Sequence, residues 1–584
     1  MSPDVQTILR QLRRFVFIPG PPDRRLAGVG GDGVPKFSGP AALIACIALA
    51  VYGFGPAVRE FFELVPARLT APFDLEWMEG LMLVGARKLW QSGFLYSEPS
   101  FEYVPVIYPP MHFILLGIVV PFAPATQYVL GRVLSLIFLA ITQVLLYRIF
   151  APRYGRAAGV FMALIPLSYF PVSGFWLDLI RLDNLYIMFL FATIAVQVSR
   201  VGDRAKLVLT AAFYLAALFS KQSSIVLLPA FILYWVYRLR CAQALAQFVL
   251  IAGSFAVLFA YWQWNSEGRF WKFMWEIGAS HGYFFGSFEL ALRAAVDQQW
   301  FAMQYLKRLV WLVPAGLVVA VVIGVRRILW WSRLRGAAKT PFIHPLQRID
   351  LYLFTFACGM LVMAYLLATH VGSYWNNNLP ALYGYSILAY LAARNLVYPA
   401  FWWARKNGYR LRVLAWLPLV ALVWVSRAHY TTALRAHVPD PHVTPEMLRE
   451  RQVFAALIRE HGPVFFPAQP PETILGSSAR PHYHFISLDD LRTGPYDLNA
   501  RKFATPENLA PFRFLLSWND EPEYPGFVRF PIEDLGLSPA DLRVPAGGLF
   551  IAKYVYFRTG EAEQMLRELR AAVAEYRAPG ETAE

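Results

Sequence analysis

Asp74, Glu76 and Glu79 open an acidic, aromatic stretch, Phe73 to Phe113, that also holds the triplet Tyr108, Pro109 and Pro110. Carboxylates are the side chains that take a proton from an attacking hydroxyl. Glu76 and Glu79 are three residues apart and would share one face of a helix, while Asp74 sits where an acid complements the helix dipole. For any one of the three, capping or solvated surface charge at a helix start is an equally good account. The helix itself is expected from Gly80 to Gln91, on the spacing of Leu81, Val84, Lys88 and Leu89, and ends at Gly93. It would lie on the membrane surface.

The groups that could hold an anion come later. Trp176 to Asn184 puts Asp178, Arg181 and Asp183 at the end of an apolar run, a depth at which ionisable groups need a reason. An arginine fork there suits phosphate, and pairing of Arg181 with Asp183 or Asp178 is the structural alternative. Lys221, in Ser220-Lys221-Gln222-Ser223, stands between two apolar helices and either snorkels or holds an anion. Tyr103 to Pro110 makes a stiff extended entry, because proline fixes the chain and disfavours helix in the residue before it. Tyr108 is then part of a rigid wall or an interfacial anchor. Trp262, Trp264, Arg269, Trp271, Glu276, His281 and Tyr283, and then His370, Tyr374, Trp375, Asn376, Asn377 and Asn378, suit sugar recognition. They equally suit an aromatic belt at the membrane interface.

No CxxC, HExxH, P-loop or properly flanked GxGxxG occurs, so zinc, ATP and dinucleotide chemistry have no support in the sequence. His281 and His370 are isolated, and His482 with His484 faces one side of a possible strand. No cofactor and no metal is expected, although a divalent ion is compatible with the residues. Cys46 and Cys358 fall within apolar runs and Cys241 at a basic loop, which leaves the acidic loops without a disulfide.

The elements that carry these residues are set by composition. Of 584 residues, 57% are hydrophobic and only 16% charged, with a mean hydropathy of +0.41, which excludes a soluble globular chain. The net charge of +15 falls in alternate loops, as the positive-inside rule requires, so nucleic acid is not an expected partner and the bilayer is. With His112 to Phe122 too short to cross, spans are expected near 40–58, 127–149, 156–176, 184–199, 206–220, 222–238, 243–262, 308–328, 351–369, 379–397 and 411–427. These make an all-α polytopic membrane protein of about eleven helices. Residues 1–38 would be a cytoplasmic segment, 39–427 the transmembrane domain with external loops 60–126 and 263–307, and 428–584 an extracytoplasmic α/β domain. That last domain is expected to begin with a helix over Pro445–His461, with strands near Val464–Phe466, Phe514–Ser517 and Leu549–Tyr556.

Taken together, the sequence resembles the GT-C superfamily of polyprenyl-phosphate-dependent glycosyltransferases, the group of the protein O-mannosyltransferases and the lipid A aminoarabinose transferase. The resemblance spans roughly Gly39 to Leu396. It rests on Met78-Glu79-Gly80 with the helix to Gly93 and Tyr96, on Tyr108-Pro109-Pro110, and on Arg132, Arg181 with Asp183, Lys221, and Gly372 to Asn378. The family commonly has Asp-Glu where this chain has Met78-Glu79. Glu79 matches by register, and Asp74 or Glu76 would replace the missing aspartate. The resemblance implies an integral protein of a bacterial inner or plasma membrane with its amino terminus in the cytoplasm. It further implies a catalytic base among Glu79, Asp74 and Glu76, donor phosphate on Arg181, Lys221 and Tyr108, and acceptor or sugar contacts from Asp183, His281, His370, Tyr374, Asn376 and Asn378. The partners would be a polyprenyl-phosphate-linked sugar and an extracytoplasmic glycan, lipid or protein acceptor. A single displacement at the anomeric carbon would invert it; two carboxylates about 5 Å apart would instead suit a double displacement. The rival class is a transporter or flippase of a lipid-linked or small solute, since intramembrane charges mark transport pathways as well.

Overall fold

The computed structural model describes residues 40–280, 345–368, 375–406, 416–435, 440–468, 480–485, 487–488, 503–517, 524–539, 542 and 552–577. Unbroken apolar runs give the longest elements, because in hydrocarbon the helix satisfies each backbone group within its own segment. Helix α1 is Pro40–Thr70, α2 is Glu79–Ser92 and α3 the six-residue Met111–Leu116. Helices α4, Pro124–Tyr154, and α5, Arg156–Leu164, are followed by α6, Asp183–Val198, α7, Asp203–Leu218, α8, Leu228–Tyr237, and α9, Cys241–Asn265. Then come α10, Pro345–Ala368, α11, Leu379–Lys406, and α12, Leu417–Arg435.

Among the described residues four helices are long and apolar enough to cross a membrane, those over Ala42–Thr70, Pro124–Tyr154, Cys241–Asn265 and Arg348–Leu367. Among the described residues eleven such helices are not present, and at two of the expected spans the reason is a local break. The expected span 156–176 stops as α-helix at Leu164, tightens into a 3₁₀ turn through Pro166, and continues as a coil that is buried from Phe170 to Leu182. The expected span 222–238 begins with a 3₁₀ turn, Gln222–Leu227, before α8 starts with Pro229 in its first turn. Residues 308–328 lie outside the described residues.

The helices sort by what covers them. α1 and α9 present Leu43, Ile44, Ile47, Phe62, Phe248 and Val257 uncovered, apolar faces of the kind lipid would cover. α6 is buried along nearly its whole length, as expected of a helix apolar on every side. It packs on α4 and α7, α10 packs on α11, and α12 joins α11 to α1. Gly384 permits the close approach of α11 to α10, because a Cβ there would stand 2.8 Å from the carbonyl oxygen of Ala357.

After the apolar part of α12, which ends at Ala428, the helix runs on to Arg435. The C-terminal unit pairs helix α13, Pro445–His461, and helix α14, Ala562–Arg577, with a sheet of order β1-β2-β4-β3. The strands are β1, Val464–Phe465, β2, Phe514–Ser517, β3, Phe527–Pro531, and β4, Tyr554–Arg558. β1 lies parallel to β2, β4 is antiparallel to both its neighbours, and Leu515 stands opposite Tyr556. Thr444 caps α13 by accepting the N–H of Met447 at 3.1 Å. The strand at Phe527–Pro531 is absent from the sequence reading because it is an edge strand, largely exposed and without the alternation of a half-buried one.

This unit is seated on the loops of the helical part. Phe101 stacks on Phe465 with ring centres 5.6 Å apart, and its carbonyl accepts the N–H of Tyr483 at 2.7 Å. Met447 of α13 packs with Ala71, Phe73, Leu75, Trp176 and Leu179. The acidic loop between α1 and α2 is thereby roofed over.

Candidate active site

The connection of residues 71–78 carries Asp74 and Glu76, and Glu79 is the first residue of α2, whose other end is closed by Gly93 in the left-handed conformation, φ 75°. All three carboxylates are buried. They differ in what they touch, and that difference assigns them.

Glu79 is fully engaged. Arg132, on α4, donates to it through Nε at 2.9 Å and Nη2 at 2.7 Å, and the backbone N–H groups of Leu75 (2.7 Å) and Ile180 (3.0 Å) bond to the same carboxylate. The remaining donors of Arg132 go to the carbonyls of Arg68, Ala71 and Phe73. This pair ties α4, the acidic loop and the coil at Ile180 into one block. Beside it, Arg68 grips Asp178 through two bonds of 2.6 and 2.8 Å and also reaches the carbonyls of Phe175 and Pro441.

Asp74 and Glu76 each keep one oxygen without a hydrogen-bond partner. Asp74 accepts the Tyr128 hydroxyl on Oδ1 at 2.6 Å, and its Oδ2 has none. Burial pushes its pKa up to about 7, against the pull of the Tyr128 hydroxyl and of Arg451, with the charge of Glu79 adding to the rise. Glu76 accepts the N–H of Met78 on Oε2 at 3.2 Å, and its Oε1 has none. Burial raises it to about 8, although Arg181 lies 3.7 Å away and favours the carboxylate.

Arg181 belongs to this group, not to the acids next to it in sequence. Its Nη2 donates to the Tyr108 hydroxyl at 3.3 Å, its guanidinium sits between the rings of Tyr108 and Trp176, and its Nε and Nη1 make no hydrogen bond. Of the two expected partners, Asp178 is taken by Arg68, and Asp183 by Lys221 at 2.9 Å. Lys221 also bonds to Asn377 at 3.1 Å and Asn376 to Asp183 at 2.9 Å, so the lysine is balanced within the protein. Asn378 is buried beside them with neither side-chain polar atom bonded.

His281, His370 and Tyr374 lie outside the described residues. His482 accepts the N–H of Phe466 on Nε2 at 2.9 Å, within the C-terminal unit, and His484 bonds to the backbone of Ala468 and Trp77, which makes it part of the contact between the two units. Among the described residues no group of three His, Cys, Asp or Glu side chains could hold a metal ion.

Three contributors escaped the sequence reading. His112 of α3 is buried with both ring nitrogens unbonded, and burial lowers its pKa to about 3, with the positive charge of Arg181 acting in the same direction. Tyr128 fell inside an apolar run with nothing local to single it out. Arg451, from α13, lies over the Phe73 ring at 4.6 Å and is held down to about 9 by burial, with the charge of Asp74 opposing. A lone arginine on an amphipathic helix, more than 370 residues from Asp74, gives no local signal.

The result is a buried set in which Glu76 lies 3.7 Å from Arg181 and Asp74 is bonded to Tyr128 under the charge of Arg451, each carboxylate with one oxygen unbonded. No protein-family model matches this chain, and no curated protein matches it significantly.

Proposed function

We propose that the chain is a membrane glycosyltransferase that moves a sugar from a polyprenyl-phosphate donor to an acceptor hydroxyl outside the cytoplasm. One observation carries this reading: Asp74 and Glu76 each keep one carboxylate oxygen without a hydrogen bond, and Glu76 lies 3.7 Å from Arg181, whose Nε and Nη1 make no hydrogen bond. A base and an anion holder in one dry site are what transfer from a phosphate-activated sugar requires. The acceptor oxygen would lose its proton to Asp74 and bond to the anomeric carbon, while the bond from that carbon to the phosphate oxygen breaks. The polyprenyl phosphate leaves as an anion against Arg181, and one displacement inverts the centre. Asp74 is the preferred base because its pKa of about 7 leaves it partly ionised at neutral pH. Glu76, at about 8, remains mostly protonated there and serves as a hydrogen-bond donor. Glu79 and Lys221 become architectural, since each is balanced by buried partners.

In this reading the four long helices, the shorter apolar helices Arg156–Tyr169, Asp183–Val198, Gln222–Tyr237 and Leu417–Ala428, the helices α7 and α11, and residues 308–328, outside the described residues, make up the set of about eleven crossings. Broken helices are tolerated at membrane depth where protein covers them, which is the situation of the coil 170–182. The acidic loop and the C-terminal unit then face the extracytoplasmic side of a bacterial inner membrane. The transporter reading draws on the buried Lys221–Asp183 pair. The deciding experiment incubates purified protein with radiolabelled polyprenyl-phosphate sugars and follows donor consumption in wild type and Asp74→Asn. Turnover lost in the variant supports transfer. Absence of turnover with every donor, together with solute counterflow in vesicles, supports transport.

A further inference from the structure

We propose a second anion site, for the phosphate group of an acidic phospholipid or for free phosphate, at the end of the bundle opposite the carboxylates. A cavity of about 290 Å³ opens there, and its polar lining is Ser199, Lys206, Tyr234, Arg238 and Arg348, with no carboxylate. It lies at the C-terminal end of α6 and the N-terminal part of α7. Those helices carry Asp183 and precede Lys221 at their other ends, and 16 residues of helix separate the two levels by roughly 24 Å.

The charges are arranged for a ligand that is itself negative. Lys206 is 5% exposed, and its ammonium donates to the Tyr234 hydroxyl at 2.9 Å. Arg238 donates to that same hydroxyl at 3.0 Å, so one neutral oxygen serves two cations. The nearby acid is Asp203, 3.5 Å from Arg238, and it also accepts from Arg240. Arg153 approaches from the end of α4 but spends its donors on the carbonyls of Ile149 and Val198. A buried ammonium answered by a phenol alone is costly, and an anion in the cavity relieves it. Leu239 and Val236, exposed and apolar next to Arg238, suit the acyl chains of a lipid whose headgroup is held within. Basic pockets between helices at a membrane surface bind acidic headgroups by this chemistry.

The test uses full-length protein in two arms. Native mass spectrometry after reconstitution in mixed phosphatidylglycerol and phosphatidylcholine nanodiscs reads retained lipid, and thermal shift in detergent reads inorganic phosphate. The expected result is selective retention of one phosphatidylglycerol, weakened about fivefold by Arg238→Gln and by Lys206→Met and unaffected by Arg156→Gln, an exposed control outside the cavity. A phosphate shift without lipid retention, lost in the same two variants, assigns the site to free phosphate. Should Lys206→Met fail to fold, Arg348→Gln takes its place. Absence of selective binding in both arms, or binding that the cavity variants leave unchanged, overturns the proposal.

Discussion

Glu79 and Arg132 meet fork to fork inside the protein, at 2.9 and 2.7 Å, and the carboxylate also accepts two backbone N–H groups. Each of its oxygens already accepts two hydrogen bonds, which leaves neither open to a substrate hydroxyl. Removing it strands a buried guanidinium. Glu79→Ala should therefore lower stability by about 3–5 kcal/mol, read as an earlier denaturation midpoint, and lose activity with the fold. Asp74→Asn should keep the midpoint near wild type and lose donor turnover. The assignment of roles fails if Glu79→Ala is stable and merely inactive.

Asp74 and Glu76 predict a pH dependence with a definite sign. Burial raises them to about 7 and about 8, so the folded protein binds protons that the unfolded chain has released. Stability from this source is present below about pH 4 and is lost as pH rises toward 8. Catalysis moves the other way, because the base must be ionised: the rate should climb through an acid limb near pH 7. A pH profile of kcat/KM, with denaturation midpoints at pH 5.5 and 8.5, checks both trends. Asp74→Asn combined with Glu76→Gln should flatten the stability trend.

Arg451 lends its charge to Asp74 from the C-terminal unit. Arg451→Gln should raise the Asp74 pKa and shift the acid limb upward, while kcat on the alkaline plateau changes less. A purely structural contact would lower the plateau without moving the limb. Comparing the two profiles separates the cases.

Lys221 and Asp183 form a buried pair within reach of Asn376 and Asn377. Lys221→Met alone should cost about 3–5 kcal/mol, because Asp183 is left uncompensated. Adding Asp183→Asn should recover much of that loss. A double-mutant cycle on denaturation midpoints measures the coupling, and additive single effects would refute the pairing.

Much of the local structure could be read along the chain. Gly93 marks the end of α2, Thr444 and Pro445 the start of α13, and the apolar runs the long helices, because caps and hydropathy act over a few residues. The acids, Arg181 and Lys221 stand out for a similar reason: charge among apolar neighbours is conspicuous in one dimension. Their partners are not. Arg181 sits near two aspartates in sequence yet meets Glu76 and Tyr108, while those aspartates go to Arg68 and Lys221. Helix breaks such as the one after Leu164 are equally illegible, since tertiary burial supplies the support that a lone helix would need. Composition and local pattern determine which segments are apolar and where the charges lie, because transfer free energy and capping are properties of neighbouring residues. Packing alone determines which carboxylate is saturated and which keeps a free oxygen, because desolvation and ion pairing depend on groups brought together from distant parts of the chain.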